Sequence, residues 1–165
     1  MILETEALLD HALTEGVPGR RFAAWIVDAL ILGLLLGALW VVLATLGLAT
    51  FGLAFPLLSL LPAVPFLYHA GCLASGAAAT PGMALLGITA RQDLDLARPT
   101  LGQAVVFTAG LYLTIAAGAV WLLVALITRR HRALHDLVSG LVIVRTQALT
   151  LVGGYGNMSP GAWTA

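Results

Sequence analysis

Long apolar stretches without any charged side chain make up most of this chain. No Asp, Glu, Lys or Arg occurs between Ala29 and Ala90, and residues 99–128 are uncharged as well. Charged residues amount to 10% of the sequence, whereas an ordinary soluble domain has about 25%. So few polar side chains cannot cover a surface exposed to water. The lipid bilayer is therefore predicted to be the solvent of this chain and its main partner.

Three apolar segments are long enough to cross a bilayer, which takes about 20 residues in a helix. They cover residues 21–48, 54–78 and 99–128. The second segment contains Pro56, Pro62 and Pro65 and is expected to be kinked, because proline removes a backbone hydrogen bond. The predicted fold is an all-α integral membrane protein with about three transmembrane helices.

The charged residues outside these segments divide the chain into parts. Residues 1–19 form an acidic N-terminal tail, residues 20–145 a membrane domain, and residues 146–165 a tail rich in Gly, Ser and Thr. The acidic start differs from the basic start of a cleavable signal peptide, so the first segment is expected to remain as a membrane helix. Residues 87–98 are predicted to form a short cytoplasmic loop or a small hairpin.

Arg20 and Arg21 come directly before the first apolar segment and determine the predicted orientation. Because basic residues favour the cytoplasmic side, the N-terminus is predicted to lie in the cytoplasm. Three full crossings would then place the arginine-rich residues 129–132 outside, against the same rule. Two alternatives remain open. The third segment breaks near Gly110 or Gly118 and returns as two half-helices, or it crosses fully in spite of the rule.

Asp28 is a lone carboxylate inside the first apolar segment, where a charge is costly unless it has a partner or a function. The candidate partners are Arg21, which lies on the same helical face two turns earlier, and the basic side chains of residues 129–132 and His135, near a second carboxylate, Asp136. Arg132 and Asp136 are four residues apart and would share a helical face. One interpretation is a buried ion-pair network that fixes helix registry. The other is an ion or proton site, in which a carboxylate alternates between protonated and cation-bound states.

Other side chains that could carry chemistry are few. His69, in the second segment, is interpreted either as a buried, hydrogen-bonded histidine or as a proton relay. His131 and His135 have a spacing that suits a metal, but a third ligand is missing from the nearby sequence, so no metal or cofactor is predicted. No nucleophile, phosphate-loop or metalloprotease motif occurs in the sequence, which argues against an enzyme. The zero net charge argues against a nucleic-acid partner.

Several of these positions form one ordered pattern along the chain. Its members are Arg20 or Arg21, Asp28, Ala79-Thr80-Pro81-Gly82, and the run Arg132-Ala133-Leu134-His135-Asp136. Over residues 16–145 the pattern resembles the RDD family of small bacterial membrane proteins, which is named for an arginine and two aspartates. Met83 departs from it, since relatives usually carry a basic residue after Thr-Pro-Gly. The resemblance implies a location in the bacterial cytoplasmic (inner) membrane and a link to transport, with sodium/proton exchange suggested for some members.

Two functions remain open. The first is an accessory or scaffolding subunit of a larger membrane complex, favoured by the small size, the few polar groups, and Gly33 and Gly37, whose spacing would let another helix approach closely. The second is an ion (sodium/proton-type) or small-solute transporter that uses Asp28 and Asp136. Many transporters are built from paired repeats, and no repeat is visible in this sequence. In either case the expected partners are other membrane-protein subunits or further copies of this chain.

Overall fold

The computed structural model of this chain describes residues 11–93, 95–116 and 138–150. Its helices are α1 (Val17–Ala49), α2 (Ala63–Ala74), α3 (Pro81–Leu85) and α4 (Leu101–Ala116), with a 3-10 helix at Phe55–Leu60. Its strands are β1 (Ile88–Gln92) and β2 (Leu141–Arg145), and residues 11–14 and 146–150 are also helical. The described chain is therefore mostly helical, as predicted.

α1 corresponds to the first predicted membrane segment. It has 33 residues, which at 1.5 Å per residue gives about 50 Å, more than the roughly 30 Å of hydrocarbon in a bilayer. It begins after Gly16, which has φ 69°, and Pro18 stands in its first turn, where its missing N–H is not needed. Among the described residues, only the helical stretch His11–Ala49 is long and apolar enough to cross a membrane, with a mean hydropathy of 2.6.

The second predicted segment is broken into two short helices and is not one kinked helix. The 3-10 helix has 6 residues and α2 has 12. Pro56 lies at the start of the 3-10 helix and Pro62 is the N-cap residue of α2. Pro65 follows in the first turn of α2. Each proline occupies a helix start, where its missing N–H leaves no hydrogen bond unmade, and this explains the division.

α4 contains the first half of the third predicted segment and packs against α2. The helix runs without interruption through Gly110, so the alternative of a break near that residue is wrong. Thr108 and Thr114 lie inside α4 and donate their hydroxyl protons to the carbonyls of Ala104 and Gly110, which satisfies both hydroxyls within the helix. Gly118 and the remainder of the segment lie outside the described residues.

The two strands are the largest departure from the predicted all-α fold. β1 pairs antiparallel with β2, with Ile88 opposite Arg145 and Gln92 opposite Leu141. The small local hairpin considered for residues 87–98 is wrong, because the partner strand lies about 50 residues further along the chain. This partner strand lies outside the three apolar segments that were predicted to cross a membrane. Its β-branched residues suit a strand.

Both faces of this two-stranded ribbon are buried. One face belongs to a core formed by Val17, Ala24, Leu73, Ile88, Ala90, Ala104, Phe107, Leu141 and Ile143. On the other face Val142 and Val144 pack with Leu13 and Ala148, from the two ends of the described chain. Burial on both faces explains why the first four residues of β2 are all apolar and do not alternate with polar ones. The ribbon thus joins the helices to residues near the two ends of the described chain.

Candidate functional site

Asp28 is a buried carboxylate on which hydrogen bonds from two other elements of the fold converge. It lies on α1 with 3% of its surface exposed. Its Oδ1 accepts hydrogen bonds from the Tyr68 hydroxyl at 2.8 Å and from the Gly82 backbone N–H at 2.9 Å. Its Oδ2 accepts a bond of 2.5 Å from the Thr80 hydroxyl. Both carboxylate oxygens are therefore used by donors from α2 and from the start of α3.

The Thr-Pro-Gly turn explains how α3 reaches this carboxylate. Thr80 is the N-cap residue of α3, and its hydroxyl oxygen accepts a hydrogen bond of 3.2 Å from the backbone N–H of Met83 while its proton goes to Asp28. Pro81 takes the first helical position, where no N–H is required. The N–H of Gly82 is one of the groups that a helix start leaves without an internal partner, and Asp28 accepts it. Asp28 therefore completes the capping of α3.

Gly82 is also required by the close approach of α3 to α1. A Cβ atom at this position would clash with the backbone oxygen of Ala24 and would lie 2.9 Å from Cγ of Asp28. The first of these atoms belongs to the backbone of α1 and cannot rotate away. Only glycine allows the turn to lie directly on the helix that carries the carboxylate.

Arg20 holds the other end of the same short helix. Its Nη1 donates a hydrogen bond of 2.6 Å to the carbonyl of Leu86, the residue that caps the end of α3. Arg20 and Asp28 are eight residues apart, which is about 12 Å along α1. The basic residue thus meets a free carbonyl at the end of α3, and the acidic residue meets a free N–H at its start. Two of the predicted site residues are brought together as a clamp on α3.

The partners of Asp28 that the structure describes are neutral, whereas the sequence predicted guanidinium groups. Tyr68, Thr80 and Gly82 supply a phenol, an aliphatic alcohol and an amide. Residues 129–132, His135 and Asp136 lie outside the described residues, so the predicted ion-pair network and the role of Arg132 in it stay predictions. Neutral donors stabilise a carboxylate without a counter-charge when several of them converge on it.

A cavity of about 90 Å³ lies beside Asp28. Its polar lining consists of Arg21, Asp28, His69 and Thr80, and most of the other lining side chains are apolar. A water molecule needs about 10–15 Å³ of such space, so the cavity is large enough for several. The predicted site residues Arg21 and His69 therefore share one space with Asp28.

His69 is partly buried and is hydrogen-bonded within the helices. Its Nδ1 lies 2.9 Å from the carbonyl oxygen of Pro65 and 3.2 Å from the hydroxyl oxygen of Tyr112. Since a carbonyl can only accept, the contact with Pro65 requires the proton on Nδ1. The ring also packs edge-on against Tyr68 and Tyr112, at centroid distances of 5.2 and 5.9 Å. Because it also lines the cavity, the relay interpretation stays open.

The sequence interpretation missed the residues that bind Asp28. The Thr-Pro-Gly motif was identified as part of the pattern that resembles the RDD family, but its hydroxyl and N–H were not assigned to the carboxylate. Tyr68 carried a usable signal as well, because a tyrosine hydroxyl in an apolar segment needs a hydrogen-bond partner. Nothing in the sequence paired that hydroxyl with a residue 40 positions earlier.

Comparison with known proteins gives one match. The model of the RDD family matches residues 16–140, which include Arg20, Asp28, the Thr-Pro-Gly turn and Asp136. Neither the comparison with curated proteins nor that with solved structures found a match. The matched region covers most of the chain and contains the clamp on α3. This protein therefore belongs to the RDD family.

Proposed function

We propose that this protein is an accessory or scaffolding subunit of a larger complex in the bacterial cytoplasmic membrane. The observation that supports this most is the use of Asp28, whose two carboxylate oxygens accept three hydrogen bonds from inside the chain. A carboxylate that exchanges protons for cations has to give up its partners in each cycle. The N–H of Gly82 belongs to the backbone of α3, so releasing it would move the helix itself.

The exposed surface of the second half of α1 supports the same proposal. Leu34 and Trp40 are 77% and 56% exposed, and Phe51 in the following turn is fully exposed. Gly33 and Gly37 lie on this part of α1, and a Cβ atom at either position would meet nothing within 4 Å. In a bilayer such a surface contacts lipid or the helix of another protein, and small residues let that helix come close.

Site-specific photocrosslinking in native membranes tests this proposal. Benzoylphenylalanine at Leu34 should give one defined heteromeric product with an unrelated membrane subunit. The same label at Phe22, in the first half of α1, serves as the matched control and should give little of it. The reverse experiment, with the label on the identified subunit, should recover this chain. Products that contain only copies of this chain would contradict the proposal.

Orientation is the second part of the proposal. The N-terminus faces the cytoplasm, because basic residues favour that side and lie near this end of α1. Arg20 and Arg21 are in the first turns of the helix, and three further arginines belong to the ribbon or adjoin it near the same end: Arg91, Arg98 and Arg145. In a Cys72→Ala background, an impermeant thiol reagent added to intact spheroplasts should label Ser59→Cys and leave Glu15→Cys unmodified. Labelling of Glu15→Cys under these conditions would reverse the assignment.

The alternative is an ion (sodium/proton-type) or small-solute transporter that uses Asp28 and Asp136. The cavity that Asp28 shares with Arg21 and His69 is the observation in its favour. For a transporter, proteoliposomes should show flux that depends on sodium or pH and is lost in Asp28→Asn. Asp95→Asn, in the loop after β1, is the control. Equal flux in wild type and Asp28→Asn would exclude this mechanism.

A further inference from the structure

Arg91 contains a buried polar atom that the fold does not satisfy. The side chain lies on β1, opposite Val142 of β2, and so points to the ribbon face that carries Val142 and Val144. Its Nη1 is buried and has no hydrogen-bond partner among the described residues. A buried donor without a partner is destabilising, and more so when it carries charge. Arg91 as a whole is only partly buried, so its guanidinium can still be reached by an acceptor from outside the chain.

The charge that acts on Arg91 is another arginine. The loop after β1 closes on itself, since the N–H of Gln92 donates to the carbonyl of Ala97 at 2.9 Å, and this brings Arg91 and Arg98 to its base. Burial, and then repulsion from Arg98, lower the pKa of Arg91. A guanidinium does not lose its proton in proteins. Two such groups side by side are most stable with an anion between them.

The other arginines with described contacts are satisfied within the chain. Arg20 donates to the carbonyl of Leu86, and Arg145 lies 3.9 Å from the carboxylate of Glu15. Asp93 and Asp95 lie between the two arginines in sequence, so residues 91–98 have a net charge of zero, and Asp95 accepts the N–H of Ala97 at 2.9 Å. The site therefore depends on where the two guanidinium groups lie and not on an excess of positive charge.

The position of the pair identifies the class of anion. α4 begins at Leu101, three residues after Arg98, and Leu101 is 67% exposed. Arg98 also approaches the end of α2, with its Nη1 3.8 Å from where a Cβ atom of Gly76 would be. Both arginines thus lie where apolar helices end, the depth at which headgroup phosphates are found. Arginine binds phosphate through paired N–H groups. We propose that Arg91 and Arg98 together bind the phosphate group of an anionic phospholipid.

Native mass spectrometry of the full chain in a neutral detergent tests this proposal. Short-chain phosphatidylglycerol, short-chain phosphatidylcholine and inorganic phosphate are titrated separately. Wild type should bind phosphatidylglycerol at one saturable site, phosphatidylcholine at least fivefold more weakly, and inorganic phosphate more weakly still. Inorganic phosphate that binds as tightly as the lipid would overturn the assignment to a lipid and identify a soluble phosphate as the ligand.

Variants distinguish binding of the lipid at this site from general electrostatic attraction between the lipid and the positive charges of the protein. Arg91→Gln with Arg98→Gln should weaken phosphatidylglycerol binding at least tenfold, and Arg98→Gln alone, in an exposed loop where folding is not at risk, at least threefold. Arg145→Gln is the matched control, because it removes the same charge from the same ribbon at a guanidinium that already has a carboxylate nearby. It should change the affinity less than twofold. Equal affinities in wild type and Arg98→Gln, or equal losses in Arg98→Gln and Arg145→Gln, would overturn the proposal.

Discussion

The two halves of α1 belong to one continuous helix but have different surroundings. The proximal half, residues 17–32, contains the buried side chains Val17, Ala24, Asp28 and Leu32. In the distal half, residues 33–49, the described burial is confined to Gly47, beside Phe55. The proximal half therefore packs one of its sides within its own chain, whereas the distal half presents most of its apolar side chains outward.

Polar contacts account for this difference. Arg20 and Asp28 hold the two ends of α3 against the proximal half, and the ribbon packs close to the same region. The distal half has no charged residue with which to position another element. Apolar side chains in a bilayer gain little from contacting one another rather than lipid. Packing within the chain is thus concentrated where hydrogen bonds and close backbone approach specify it.

The largest effect is expected from Gly82→Val. The new side chain would meet the backbone oxygen of Ala24 and the carboxylate of Asp28, and moving α3 away would also break its bond to that carboxylate. Overpacking together with the lost hydrogen bond should lower the free energy of unfolding by about 4 kcal/mol. Thermal unfolding in detergent, followed by size-exclusion chromatography, measures the change. Gly37→Ala is the control and should be neutral or slightly stabilising, since a Cβ atom there meets nothing.

Asp28→Leu is expected to have the next largest effect. It leaves the Tyr68 hydroxyl, the Thr80 hydroxyl and the Gly82 N–H without their acceptor, which should destabilise the protein by about 3 kcal/mol. Asp28→Asn keeps one acceptor oxygen and should lose about half of that. Asp95→Asn, in an exposed position, should change the unfolding midpoint very little. A midpoint in Asp28→Leu equal to that of wild type would mean that the carboxylate does not hold α3 in place.

Tyr68→Phe should have a smaller effect, because it removes one of the three donors and leaves the carboxylate with two. The loss of a hydrogen bond of 2.8 Å to a charged acceptor should lower stability by about 1 to 2 kcal/mol. Tyr112→Phe, which removes the hydroxyl beside His69 without touching Asp28, should lower it by about 1 kcal/mol or less. The order of these two unfolding midpoints tests whether the Asp28 contacts are the stronger ones. The reverse order would place the main polar support of the helices at His69.

Sequence reasoning reached the local features of the fold but not its long-range pairings. The apolar extent of α1 follows from composition, and the prolines of the second segment mark where it is interrupted, although a kink was predicted and the segment is divided into two helices. The ribbon did not follow, because residues 88–92 pair with a strand about 50 positions later. Hydrophobic periodicity and secondary-structure propensity depend on residues that are close in sequence, so they do not identify which distant segments pair.

The same limit applies to the site. Asp28 was identified because a lone acid in an apolar segment has a high energetic cost. Its described partners were not identified, because a basic side chain was expected to neutralise the carboxylate. The described hydrogen bonds instead come from a phenol, an alcohol and a backbone amide. The Gly82 N–H has no side chain to mark it in the sequence. Its availability follows only once Thr80 and Pro81 are known to begin a helix.

The smallest effect on stability is expected in the distal half of α1, from Trp40→Ala. Trp40 is exposed, so its loss from the purified chain should change the free energy of unfolding by no more than about 0.5 kcal/mol. If the distal half binds another subunit, the same change should reduce the Leu34 crosslink in membranes severalfold, since buried aromatic side chains dominate such contacts. Phe22→Ala is the matched control, an exposed aromatic of the proximal half that stacks on Trp25. Equal crosslinking in both variants would mean that Trp40 does not take part in the contact, and that exposure in the distal half does not by itself mark a binding surface.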